Sequence, residues 1–225
     1  MGPADSIQLV LALGHAESYA RDDFVAGPSN AAALSMVERW PDWPDRIVAI
    51  CGPEGAGKSH LAMIWADKAG ARSVSAPALG YANLPLALAT GALVVEDVNE
   101  QVDERALFHL INMAREHRAY VLMTSRIAPS AIALALPDLV SRLRAIPSVA
   151  VAPPDDDLLR ALIAKLAADR QLQLDPAVVS YLSHRVERSF RGARSAIERL
   201  DCEALRLHRP VTRALAAELF RADPG

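Results

Sequence analysis

From Arg46 onward, short apolar runs alternate with longer stretches of helical periodicity. The runs cover 47–51, 72–76, 92–97, 119–125 and 149–152. Such alternation is the sequence mark of βαβ units, in which each helix returns the chain to the start of the next parallel strand. The pattern predicts a parallel five-stranded sheet sandwiched by helices, an α/β fold. After Pro153 and Pro154 the strand pattern stops. Asp155, Asp156 and Asp157 then offer an N-cap and a favourable charge at the start of an amphipathic helix running to Asp169. Further helices are expected from Asp175–Pro176, over 189–207 and over 212–221. The expected division is an N-terminal tether at 1–22, an α/β domain at 23–153 and a small α-helical lid domain at 154–225.

Composition narrows the class. The chain has 225 residues, enough for one α/β domain plus a lid. Hydrophobic residues make up 52% but aromatics only 5%, which suits an aliphatic core better than a base-stacking surface. A formal net charge of -3 argues against a dedicated nucleic-acid binder, so any DNA contact is expected to be indirect. The two cysteines, Cys51 and Cys202, have no metal-ligand spacing. The chain opens with no signal segment, and no apolar run approaches the ~18 residues of a membrane span. A cytoplasmic protein with reduced thiols and no membrane partner is expected.

The chemistry concentrates in Gly52, Pro53, Glu54, Gly55, Ala56, Gly57, Lys58 and Ser59, which fit the G-x-x-x-x-G-K-[ST] phosphate loop. Its glycines let backbone N–H groups curl around phosphate oxygens, the lysine neutralises phosphate charge, and the serine hydroxyl reaches Mg²⁺. The run 47–51 supplies the preceding strand, and Ser59 and His60 begin the helix whose N-terminus faces the phosphates. ADP or ATP with Mg²⁺ is the expected ligand. A second strand, through Leu93, Val94 and Val95, ends in Glu96 and Asp97, candidate groups for the metal shell and for orienting water. Which of the two reaches the metal decides hydrolytic competence, and the spacing leaves that open.

Ahead of this loop, Asp23, Phe24, Val25, Ala26, Gly27, Pro28, Ser29 and Asn30 resemble the segment that leads into the nucleotide domain of DnaA, the bacterial replication initiator and an AAA+ P-loop NTPase. The resemblance runs from about residue 18 to the end of the chain. It implies that Phe24, Val25 and Gly27 pack near the adenine, and that Thr124 and Ser125 end the strand carrying the first sensor. DnaA-like proteins often place an acid after that serine, whereas this chain has Arg126. The stretch Leu136, Pro137, Asp138, Leu139, Val140, Ser141, Arg142 and Leu143 resembles the segment that presents an arginine finger to a neighbouring subunit, with Arg142 as the finger. A solvated helix arginine paired with Asp138 is the alternative. Arg188, Ser189, Phe190, Arg191 and Gly192 resemble the second-sensor helix, with Arg191 directed at the phosphates.

DnaA carries a DNA-binding domain after its lid, and residues 154–225 are expected to leave no room for one here. Near the other terminus, Gln8, Leu9, Val10, Leu11, Ala12 and Leu13 resemble the peptide with which bacterial proteins enter the replicase sliding clamp (β subunit). In that role Gln8 bonds the pocket rim while Leu9, Leu11 and Leu13 supply the apolar anchor. The same alternation also suits an edge strand. Together these features resemble the Hda-type regulatory inactivators of DnaA. The resemblance implies a negative regulator of replication initiation, with DnaA and the clamp as partners, possible homo-oligomers, and weak intrinsic hydrolysis. A self-contained AAA+ ATPase acting like a helicase loader is the main alternative. A nucleic-acid adaptor using Arg206, Arg209 and Arg213 is the lesser one.

Overall fold

The computed structural model describes residues 19–221. The proposed clamp peptide at Gln8, Leu9, Leu11 and Leu13 lies outside them. Five strands, β1 (Ile47–Cys51), β2 (Arg72–Ser75), β3 (Ala92–Val98), β4 (Tyr120–Ser125) and β5 (Ser148–Ala150), form one sheet in the order β2-β3-β4-β1-β5. Every pairing is parallel. This is the sheet the apolar runs predict, though β5 ends at Ala150 rather than residue 152. Val151 instead donates its N–H to Cys51 O at 2.7 Å as the chain leaves the sheet.

Strand β1 is buried at all five positions because both sheet faces are covered, which is why it reads as a continuous apolar run. Side chains alternate between faces. Ile47 and Ala49, with Leu93, Val95, Val121 and Met123, join one cluster under α4 (Glu104–Glu116) and α5 (Pro137–Arg144). Val48 and Ile50, with Val94 and Leu122, join another under α1 (Ala31–Glu38) and α2 (Lys58–Ala69). Trp65 of α2 is fully buried there.

The remaining helices, α6 (Asp156–Asp169), α7 (Pro176–Ser183), α8 (Phe190–Leu207) and α9 (Arg213–Phe220), bury a core of their own around Leu159, Ile163, Leu182, Ile197 and Leu200. Each begins at a side chain that caps a free backbone N–H: Asp155 to Leu158, Asp175 to Ala177, Ser189 to Gly192 and Thr212 to Leu215. Val25 and Phe190 pack against this cluster, so the segment ahead of the sheet meets the helical unit. Lys165 of α6 reinforces the junction with an ion pair to Asp23 at 2.7 Å. Among the described residues no helix is long and apolar enough to cross a membrane.

Candidate functional site

In a parallel sheet, ligands gather beyond the carboxyl ends of the strands, where connections leave in opposite directions. Here β1 lies between β4 and β5, and its end is in register with that of β4, Cys51 opposite Ser125. The loop after β1 is anchored at once, Gly52 N–H donating to Ser125 O at 3.1 Å. A Cβ on Gly52 would stand 2.2 Å from Val151 O, so no side chain fits at that step. Gly55 has φ +72°, and a Cβ there would come within 2.9 Å of Ser189 Cβ at the start of α8. The loop therefore follows its tight curve while touching the helical unit, and Phe190 N–H donates to Gly55 O at 2.8 Å.

Lys58 opens α2 and is only 7% exposed, with its Nζ donating to Pro53 O at 2.8 Å across the loop. Burial pushes its pKa below the ordinary lysine value, and Arg126 pushes the same way, while Asp97, Glu54 and Cys51 oppose. A buried ammonium satisfied by a carbonyl of its own loop is a cation with spare donors, suited to an arriving anion.

Beside the loop opens a cleft of about 340 Å³ lined by Glu54, Gly55, Gly57, Lys58, Ser59, His60, Asp97, Arg126, Phe190, Arg191 and Arg194. Two acids that follow one another in the sequence separate here. At the end of β3 the register with β4 shifts between Val95 and Val98, and Asp97 takes φ 59°. Asp97 N–H is held by Thr124 Oγ1 at 3.0 Å and the residue lines the cleft. Glu96 turns instead toward the neighbouring strand, accepting from Ser73 Oγ at 3.1 Å, and does not line it. Ser125 is fully buried, donating to Ile127 O at 2.5 Å, and does not line it either. The strand-end position that does is Arg126, which the sequence marked only as a departure from a pattern.

The other end is tight, with about 30 Å³ of free space among Phe24, Val25, Asn30, Ala56, Gly57, His60, Leu158 and Phe190. Asn30 shapes the leading segment, accepting from Gly27 N–H at 2.9 Å and donating to Val25 O at 3.0 Å. Gly27 lies under Leu158, whose Cδ2 would be 3.1 Å from an added Cβ. His60, 8% exposed, packs edge-on against Tyr19, Phe24 and Phe190 and bonds Ala20 O at 3.1 Å. Burial holds its pKa below the ordinary histidine value, against the opposing pull of the Ala20 bond and Asp23. Ser29 Oγ is buried beside this pocket with no hydrogen-bond partner, a polar group that a ligand's edge would satisfy. Asn30 and Phe190 were not singled out from the sequence. Neither was given a role there, although the Asp23–Asn30 resemblance included Asn30 and the Arg188–Gly192 resemblance included Phe190.

Arg142 stands apart from both pockets. On α5 its guanidinium lies over the Phe108 ring at 4.8 Å, and among the described residues it makes no ion pair with Asp138.

No protein-family model matches the chain. Two curated relatives are the chromosomal replication initiator proteins DnaA of Thermomicrobium roseum and Lacticaseibacillus paracasei. Each is 25% identical, over 90% and 91% of this chain but only 49% and 51% of their own lengths. The chain thus spans about half the length of the curated relatives it matches. Among solved structures, domain III of Thermotoga maritima DnaA superposes with TM-score 0.75 at 20% identity, covering 90% of this chain and 95% of that one. The Thermotoga maritima branch-migration motor RuvB superposes with TM-score 0.71 at 16% identity, covering 92% and 73%. Aquifex aeolicus DnaA, solved bound to AMPPCP, superposes with TM-score 0.65 at 21% identity, covering 81% and 64%. The fold is that of an AAA+ P-loop NTPase.

Proposed function

Starting from homology to the replication initiator DnaA, which spans this chain's sheet and helical unit, we propose that the protein is a nucleotide-switched negative regulator of chromosomal replication initiation. It holds ADP or ATP in the cleft, docks on the sliding clamp through Gln8 to Leu13, and inserts Arg142 beside ATP bound to DnaA. Catalysis is then completed in the partner, and contact with DNA runs through the clamp. The division into a tether, a nucleotide domain at 23–153 and a lid at 154–225 is part of this reading.

The observation that carries nucleotide binding is the assembly at one strand edge of a fitted glycine loop, a buried lysine and an unpartnered polar atom at the tight end. Loop N–H groups and Lys58 take the phosphates, and the segment from Phe24 to Gly27 takes the base with Asn30 and Phe190. The donor set suits Mg²⁺ as a guest of the nucleotide. Among the described residues no three His, Cys, Asp or Glu side chains cluster, and Mg²⁺ ordinarily rests on one or two protein oxygens plus phosphates and water. Ser59 and Asp97 would provide those oxygens, and the ion would neutralise phosphate charge.

Arg142 supports action in trans because it is remote from its own cleft and stacked on an aromatic ring that fixes its direction. Arginine fingers supply about 10³ to 10⁵ in rate. Arg142→Ala is therefore expected to leave ADP binding intact and to abolish stimulated hydrolysis of DnaA-bound ATP, and unchanged stimulation would remove the finger assignment. Clamp pull-down with and without residues 1–13 tests the other contact, with loss of recovery expected for the shortened chain.

The placement of Asp97 in the cleft favours one second reading, a self-contained ATPase working as a helicase-loader-like or DnaA-like remodelling factor. Substantial turnover by the isolated chain, lost in Asp97→Asn, would select it.

A further inference from the structure

One side chain of the glycine loop carries a negative charge. Glu54 projects from the loop tip into the cleft, and each of its oxygens is taken by a different arginine. Oε2 meets Arg126 Nη2 at 3.0 Å, from the segment after β4, and Oε1 meets Arg191 Nη1 at 2.6 Å, from the first turn of α8. The carboxylate thus joins the loop, the sheet edge and the helical unit. Guanidinium groups brought to a phosphate cleft from two sides are what a terminal phosphate would recruit, through paired charge-assisted bonds. In this protein a fixed anion already holds both.

We infer that Glu54 makes the cleft selective for a nucleoside diphosphate over a nucleoside triphosphate, by holding Arg126 and Arg191 where a terminal phosphate would otherwise engage them. The inference rests on the nucleotide-binding reading above and names the residue that sets its ligand. A diphosphate is served by the loop N–H groups and Lys58, and the Glu54 bridge can stay closed around it. A third phosphate brings further negative charge toward Glu54 and Asp97, and it gains the two arginines only by displacing a carboxylate from them. All three bridging side chains are at least half exposed, so water and salt weaken the bridge. The resulting preference is one of degree, about fivefold to tenfold in affinity.

The test is equilibrium titration of the purified full chain with ADP and with AMPPCP, a triphosphate analogue that is not turned over. Wild type is expected to bind ADP more tightly. Glu54→Gln keeps the shape and removes the charge, and is expected to tighten AMPPCP by about fivefold to tenfold more than it tightens ADP. In an Arg126→Ala background the same change should gain less, because one freed guanidinium is gone. Equal shifts for both nucleotides, or none for AMPPCP, would overturn the role of Glu54 while leaving nucleotide binding in place. If wild type binds neither nucleotide and Lys58→Ala changes nothing, the nucleotide reading itself fails and the selectivity with it.

Discussion

The two ends of the proposed nucleotide cleft are built in opposite ways. The phosphate end is roomy and charged, with Lys58, Arg126, Arg191, Glu54 and Asp97 around about 340 Å³. The other end is tight, with about 30 Å³ among mostly aromatic and aliphatic side chains. Phosphate recognition works by electrostatics and backbone donors, which tolerate water and act over several ångströms. Base recognition works by contact and exclusion, which demand that surfaces nearly touch. On the proposed nucleotide reading, phosphates have room at once, while the tight end must widen before a base fills it. Leu158 and Phe190, which line that gap from the other side, belong to the helical unit.

The largest expected effect breaks the charged end. Lys58→Ala should weaken ADP by about 100-fold, as several charge-assisted bonds are lost together. The nucleotide-free chain should meanwhile melt no lower than wild type, because burial already lowers the Lys58 pKa and keeping its charge there has a cost. A titration and a thermal melt on the same sample check both halves. Breaking the closed end costs folding instead. Leu158→Ala removes a side chain 6% exposed that packs on Gly27, and should destabilise by about 2–4 kcal/mol in denaturant unfolding. Its loss of ADP affinity should stay well short of that in Lys58→Ala, and parity between the two would erase the contrast drawn here.

The smallest effect is a pH dependence. The folded pKa of His60 lies below its ordinary 6.5, so the unfolded chain binds its proton first on acidification. Its contribution to stability is complete above pH 6.5 and is lost as pH falls from there through the folded value. Melting temperatures across that window should fall less steeply in His60→Gln than in wild type. Identical slopes would show that the imidazole is not the titrating group.

The charged end was far more legible in the sequence than the closed one. Residues 52–59 act through backbone geometry within one contiguous stretch, so fixed spacing encodes them. The three inner strands β1, β3 and β4 were legible for a similar reason, since burial on both faces leaves continuous apolar runs, whereas the edge strands β2 and β5 are largely exposed. Glu96 and Asp97 show where legibility ends. They are adjacent in the sequence and equally acidic, yet a register shift sends one to Ser73 and the other into the cleft. Arg126 looked like a lost sensor residue, and only its distance to Glu54 gave it a partner 72 positions away.

By itself, then, the sequence determined that this chain builds a parallel α/β sheet with a phosphate loop at the end of its first strand, because those features are local and periodic. The tertiary structure decided which acid lines the cleft, that Glu54 ties Arg126 to Arg191, and that the tight end is lined by residues from 23–30, 55–60 and the helical unit. Each of these depends on side chains brought together across long sequence separations, a matter of packing that no local pattern records.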